Sequence, residues 1–232
     1  MRIDSIVARR QFLLGATSLV AAVAAGCTTT PPVSVLAADT PPILPDVATM
    51  YAAIPDEQFP VPAARIDLID PKYYRQVVKD PTGEKPGTIV VDTPKRFLYL
   101  VQDGGHAVRY GVGIGRDGFA WGGRAGIQYK RKWPRWTPPS EMIGRQPELE
   151  KYRHGMSPGL DNPLGARALY IFEGGKDTLY RLHGNMDARS IGRAVSSGCV
   201  RLLFQDVIDL YERVPDGTPI VVLQSDAGEQ NA

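Results

Sequence analysis

From residue 87 onward, short apolar runs alternate with turn residues, the spacing of strands rather than helices. Residues 88–92 are largely β-branched and 97–102 apolar and aromatic. The Asp103-Gly104-Gly105 turn then leads into alternation over 106–114. Together these predict a hairpin or meander, with a further strand at 126–132. Residues 167–173 and 177–182 predict a second hairpin, turned through Gly174-Gly175-Lys176. Residues 204–214 have helical spacing, with Val207, Leu210 and Tyr211 on one face and Asp206 in the first turn. A closing strand is expected at 219–223, after Pro215-Asp216-Gly217. Strands outnumber helices, so the expected class is mainly β, a sandwich or partly open barrel with one or two helices.

Two stretches break this pattern. Residues 28–86 hold eleven of the twenty prolines and few long apolar runs, which reads as an extended, semi-rigid linker. Within it, 69–78 has Tyr73, Val77 and Val78 near helical spacing and predicts a short ordered segment packed on the domain. The second stretch, 115–164, carries Trp121, Trp133 and Trp136 among glycines, arginines and prolines. It then makes a long excursion over the sheet from 142 to 164. Ordered loops of this length are often lids or binding loops. Trp133 and Trp136 admit two readings, contact with substrate or packing against the core. His106, beside a turn, and His154, in the excursion, read as solvated or structural.

Composition matters mainly at the ends. The formal charge of +2 traces to the first 27 residues, where Arg2, Arg9 and Arg10 stand against Asp4 alone. No basic footprint for nucleic acid remains beyond them. Arg9-Arg10, an apolar stretch over 12–23 and Ala24-Ala25-Gly26-Cys27 read as an export signal. The first pair resembles a twin-arginine pattern, and the last four a lipobox that would acylate Cys27. Cleavage within the same small-residue cluster is the plainer alternative. The expected organisation is a signal at 1–27, a linker at 28–86, one domain at 87–224 and a flexible tail at 225–232. Two cysteines, one of them in the signal, give no disulfide framework.

Candidate chemistry lies in 182–202, L-H-G-N-M-D-A-R-S-I-G-R-A-V-S-S-G-C-V-R-L. His183 follows a run with strand character, and sixteen positions on Cys199 follows the small-residue turn Ser196-Ser197-Gly198. A thiol becomes a nucleophile only as its thiolate, and a nearby imidazole can take the proton. Main-chain amides at Gly198 and Cys199 could face a developing oxyanion. A lone histidine or cysteine is commonly a packing residue, and spacing alone does not decide between the readings.

The string resembles the catalytic signature of the L,D-transpeptidase (YkuD-domain) family, an H-G followed about fifteen residues on by S-[HS]-G-C-[IV]-R. Residues 89–101, 111–116 and 162–170 resemble the family as well, so the likeness covers about 86–223. It implies the same β-rich fold and acyl transfer on peptidoglycan stem peptides. Cys199 would be the nucleophile, His183 the general base and acid, and the Gly184 carbonyl the group that orients His183. Gly198 would supply oxyanion-hole backbone. Arg201 would hold a substrate carboxylate or brace the turn, and Ser196 and Ser197 would shape it. Asn185, Arg167 and Trp136 complete the expected substrate contacts. No metal or cofactor is implied. The acceptor would be an amine of another stem or of an envelope protein, at the cell envelope of a Gram-negative-type bacterium. Two departures stand out. Ser197 replaces a histidine of many members, and Asn185-Met186-Asp187-Ala188-Arg189 replaces a stretch that usually begins with threonine. Rival readings are a hydrolase using water as acceptor and an inactive wall-binding module. A papain-type peptidase would place its cysteine before its histidine, the reverse of the order here.

Overall fold

The computed structural model describes residues 41–115, 121–196 and 199–224. Helix α1 (Val47–Met50) comes first, then strands β1 (Gln76–Lys79), β2 (Ile89–Asp92), β3 (Phe97–Val101), β4 (His106–Gly111), β5 (Ile114–Gly115) and β6 (Gly123–Lys132). Helix α2 (Ser140–Arg145) interrupts them. There follow β7 (Arg167–Glu173), β8 (Lys176–Asn185), β9 (Ala194–Ser196), β10 (Val200–Leu203), helix α3 (Phe204–Arg213) and β11 (Pro219–Leu223). Nine strands form one sheet in the order β1-β4-β3-β2-β11-β6-β7-β8-β10, while β5 and β9 pair separately. Pairing in the large sheet is antiparallel except for β2 with β11 and β8 with β10.

The ends of the sheet approach each other. Arg201 in β10 bridges to Gly113, two residues beyond β4, with N···O distances of 2.8 and 2.9 Å. The result is the expected mainly β class, curled toward a barrel that does not close. Alternation sends Leu98, Val108, Leu169, Ile171, Leu182, Val200 and Leu202 into one core. The apolar stripe of α3, Val207 and Leu210, fills that core from inside. β2 is buried on both faces, since Val90 packs with Tyr99 and Val221 on the far side. That is why its sequence is a continuous β-branched run and not an alternating one.

Residues 41–86 depart from a spacer. Met50, Tyr51, Val61 and Ile69 are buried, and β1 extends the sheet by pairing with β4. Within this stretch Ile69 is buried and Gln76–Lys79 pairs with β4. The helical spacing expected at 69–78 resolves into a single 3-10 turn, Pro71–Tyr73, and then strand β1. Arg75, 5% exposed, pairs with Asp209 at 3.0 Å and lies 3.8 Å from Asp206, both on α3. The Gln205 amide donates to the carbonyls of Ala52 and Pro62. Buried polar anchors of this kind tie proline-rich backbone to a domain without needing a long apolar run. Among the described residues no helix is long and apolar enough to cross a membrane.

Candidate active site

Two neighbouring strands position the candidate residues. β8 and β10 run parallel with Leu182 opposite Val200 and His183 opposite Arg201. Leu182, Val200 and Leu202 face the core, so His183 and Arg201 share the other face. Cys199, two residues before Arg201, falls on that same face. His183 and Cys199 are therefore diagonal neighbours across the pair, the spacing at which side chains of adjacent strands interact. Both line one cavity of about 370 Å³, together with Asn185 and Arg201. Trp136 lines it too, and the excursion adds Met142, Gln146, Leu149, Asp161, Pro163 and Leu164.

His183 is 5% exposed, and its Nδ1 lies 3.0 Å from the Gly184 carbonyl. A carbonyl only accepts, so Nδ1 donates and Nε2 keeps its lone pair. Burial drives the imidazole pKa down to about 4; the Gly184 carbonyl and, less, the Pro163 carbonyl pull the other way, and Arg201 adds to the depression. The half-buried Cys199 thiol is pushed above its usual range by burial, an effect that Arg181 and Arg201 partly offset. Base and thiol are thus both neutral at rest. Arg201 is half-buried, and its Nε has no hydrogen-bond partner among the described residues.

Gly184 is required for packing as well as for its carbonyl. A Cβ there would stand 2.7 Å from Phe204 Cδ1 and 3.0 Å from Val207 Cγ1. Asn185 accepts from the Asp187 amide at 2.7 Å, which shapes the turn after β8. Trp136 lines the cavity, whereas Trp133 is buried, bonds Glu57 through its indole N–H and meets Phe204 edge-on. The packing reading thus holds for Trp133, while Trp136 stands in the cavity wall. Arg167 does not line the cavity. It is 2% exposed, faces the core side with Leu169, and pairs through both terminal nitrogens with Glu57. The substrate contact expected of it is replaced by a buried ion pair that binds the N-terminal segment. Ser196 lies in β9, paired with Gly115. Ser197, Gly198 and Cys27 lie outside the described residues. His154 is exposed, and His106 is half-buried away from the cavity. Sequence reasoning did not single out Asp161, Gln146 or Met142, although it placed a binding loop over that stretch.

The profile of the L,D-transpeptidase catalytic domain matches residues 86–222. Probable L,D-transpeptidase YbiS of Escherichia coli K12 is 34% identical over 138 residues, covering 57% of this chain and 43% of that protein. Probable L,D-transpeptidase ErfK/SrfK of the same strain is 30% identical over 148 residues, covering 62% and 46%. The chain thus spans less than half the length of these two relatives. A Brucella melitensis crystal structure described as a probable carnitine operon oxidoreductase, CaiA, is 49% identical. It covers 68% of this chain and 99% of that one at a TM-score of 0.47, too low to bear on fold or chemistry. With the signature residues grouped on one sheet face and the profile matched over more than half its length, the chain belongs to the L,D-transpeptidase catalytic-domain family.

Proposed function

We propose that the protein is a cysteine-dependent peptidoglycan L,D-transpeptidase acting on tetrapeptide stems. The observation that carries this reading is the shared cavity of Cys199 and His183, with His183 Nδ1 anchored on the Gly184 carbonyl and Nε2 left as the base. In the proposed cycle, Nε2 takes the Sγ proton as the thiolate attacks the carbonyl of the third stem residue. Main-chain amides at Gly198 and Cys199 receive the oxyanion. As the tetrahedral species collapses, the bond to D-alanine breaks and the imidazolium gives its proton to the leaving amine. A thioester on Cys199 remains. An acceptor amine then attacks it, passing a proton to His183, and the thiol re-forms. Arg201, whose buried Nε has no hydrogen-bond partner among the described residues, is the group assigned to a stem carboxylate. Trp136 and Asn185 are assigned to the walls that hold the stem.

The acceptor is an amine of a second stem or of an envelope protein, and residues 1–27 are read as an export signal, with Cys27 as a lipidation site. Incubating the full chain with purified tetrapeptide muropeptides tests the reaction. The expected products are D-alanine and cross-linked dimers, both absent with Cys199→Ala. Release of D-alanine with tripeptide and no dimer would make water the acceptor. No D-alanine release at all would sink the proposal.

A further inference from the structure

The strand register places one more charge beside the nucleophile. With Leu182 opposite Val200, the residue across from Cys199 is Arg181, and its side chain leaves the sheet on the same face. The same row continues across the sheet. Tyr170 in β7 is the register partner of Arg181, and Tyr129 in β6 is the partner of Tyr170. The two tyrosine rings stack at 4.4 Å with 23° between their planes, and the Arg181 guanidinium lies over the Tyr170 ring at 4.4 Å. Planar groups at the spacing of adjacent strands thus form a ladder that ends at the thiol. Asp177 holds the guanidinium from its edge through two contacts of 2.7 Å, leaving the arginine side chain only 12% exposed.

We propose that Arg181 is a thiolate-stabilising residue of this site, set beside Cys199 by strand register and held there by the Tyr170–Tyr129 stack and Asp177. The inference rests on Cys199 being the nucleophile. The other ionisable groups facing the sulfur's surroundings are His183 and Tyr180 on β8, Arg201 on β10 and Asp161 on the excursion. The two arginines differ in what they do. Arg201 favours the thiolate but also disfavours a protonated His183, so its effects on proton transfer oppose each other. Arg181 favours the thiolate, through its guanidinium and its main-chain N–H. It is the cation that strand register sets across from the sulfur, with its guanidinium held over Tyr170 and at its edge by Asp177. A locked, planar guanidinium can favour the thiolate at fixed distance, where a mobile lysine would need ordering first.

The test is the pH dependence of Cys199 alkylation by iodoacetamide in the full chain, a readout that needs no transfer activity. Arg181→Gln keeps the main-chain amide and removes the charge. Its alkylation midpoint should rise by about one pH unit, which is about tenfold less thiolate near neutrality. Because a more basic thiolate is more reactive, the rate at pH 7 should fall only about three- to fourfold. In turnover, kcat should fall with KM little changed, and Arg181→Lys should recover part of the loss. Tyr170→Leu, which removes the stack, should move the midpoint the same way by less, and Tyr170→Phe should leave it in place. A folded Arg181→Gln protein with the wild-type midpoint would overturn the proposal. Should that variant fail to fold, equal midpoints in Tyr170→Leu and Tyr170→Phe would overturn it instead. An Arg181-dependent midpoint in a protein that releases no D-alanine would support the inference while removing the proposed reaction.

Discussion

His183 is a base of low proton affinity facing a thiol of high proton affinity, both made so by burial. A thiolate–imidazolium pair made in advance titrates at about 3–4, as in papain. Here the proton should move only as a carbonyl approaches. Alkylation of Cys199 should therefore climb with pH through the alkaline range and show no plateau at mildly acidic pH, as stopped-flow measurement would reveal. With His183 neutral down to about pH 4, the base itself should not limit turnover until the pH falls that low. Gly184 sets a second residue-scale expectation. Gly184→Ala pushes against Phe204 and displaces the carbonyl that fixes the imidazole tautomer. kcat should fall about 10- to 100-fold with a smaller change in stability, since misplaced catalytic geometry alone can cost about two orders of magnitude. The proposed nucleophile and base were legible in the sequence because the H-G and S-S-G-C-V-R strings resemble the family signature, whereas their spacing alone left both readings open. Arg167 was not. Its partner, Glu57, lies 110 positions earlier, and strand parity, which turns Arg167 toward the core, cannot be read without register.

Among the elements, α3 and the segment before β1 are joined by charge. Burial raises the Asp206 carboxyl to about 7, with Arg75 pulling it back and Asp209 adding to the rise. Asp209 ends lower than usual, because Arg213, Arg75 and Tyr110 outweigh its own burial. An acid whose folded pKa is raised contributes stability that is complete below its unfolded pKa of about 4 and is lost as pH climbs through 7. Asp206→Asn should therefore flatten the dependence of Tm on pH between about 4 and 7, which thermal melts across that range would show. The Glu57–Arg167 pair is the second anchor. Glu57→Ala leaves a 2%-exposed arginine without its partner, and breaking such a pair costs about 3–5 kcal/mol. Urea denaturation should reveal that loss. The strands and α3 were legible from periodicity. β1 was misread as helical because Tyr73, Val77 and Val78 straddle a turn and a strand, mixing two periods in one window.

At the scale of the whole molecule, residues 41–85 lie outside the family match yet inside the fold. This segment covers Phe204 and Leu203 through Val61 and Tyr51, next to the strand that presents Arg201. Removing residues 1–75 should lower the urea midpoint and leave a surface that binds a hydrophobic dye, although the signature residues stay intact. An unchanged midpoint with no dye binding would contradict this. Composition hid the role of the segment, because prolines dominate it and its buried residues follow no repeat. The proposed chemistry needs the rigid β8–β10 pair above all, and the most direct measurement is the mass of the intact protein after brief incubation with a tetrapeptide stem. The account predicts one added stem acyl group on Cys199 with D-alanine released, no adduct in Cys199→Ala and slow formation in His183→Ala. Stem consumed with no mass on Cys199, or an adduct that persists in Cys199→Ala, would contradict it.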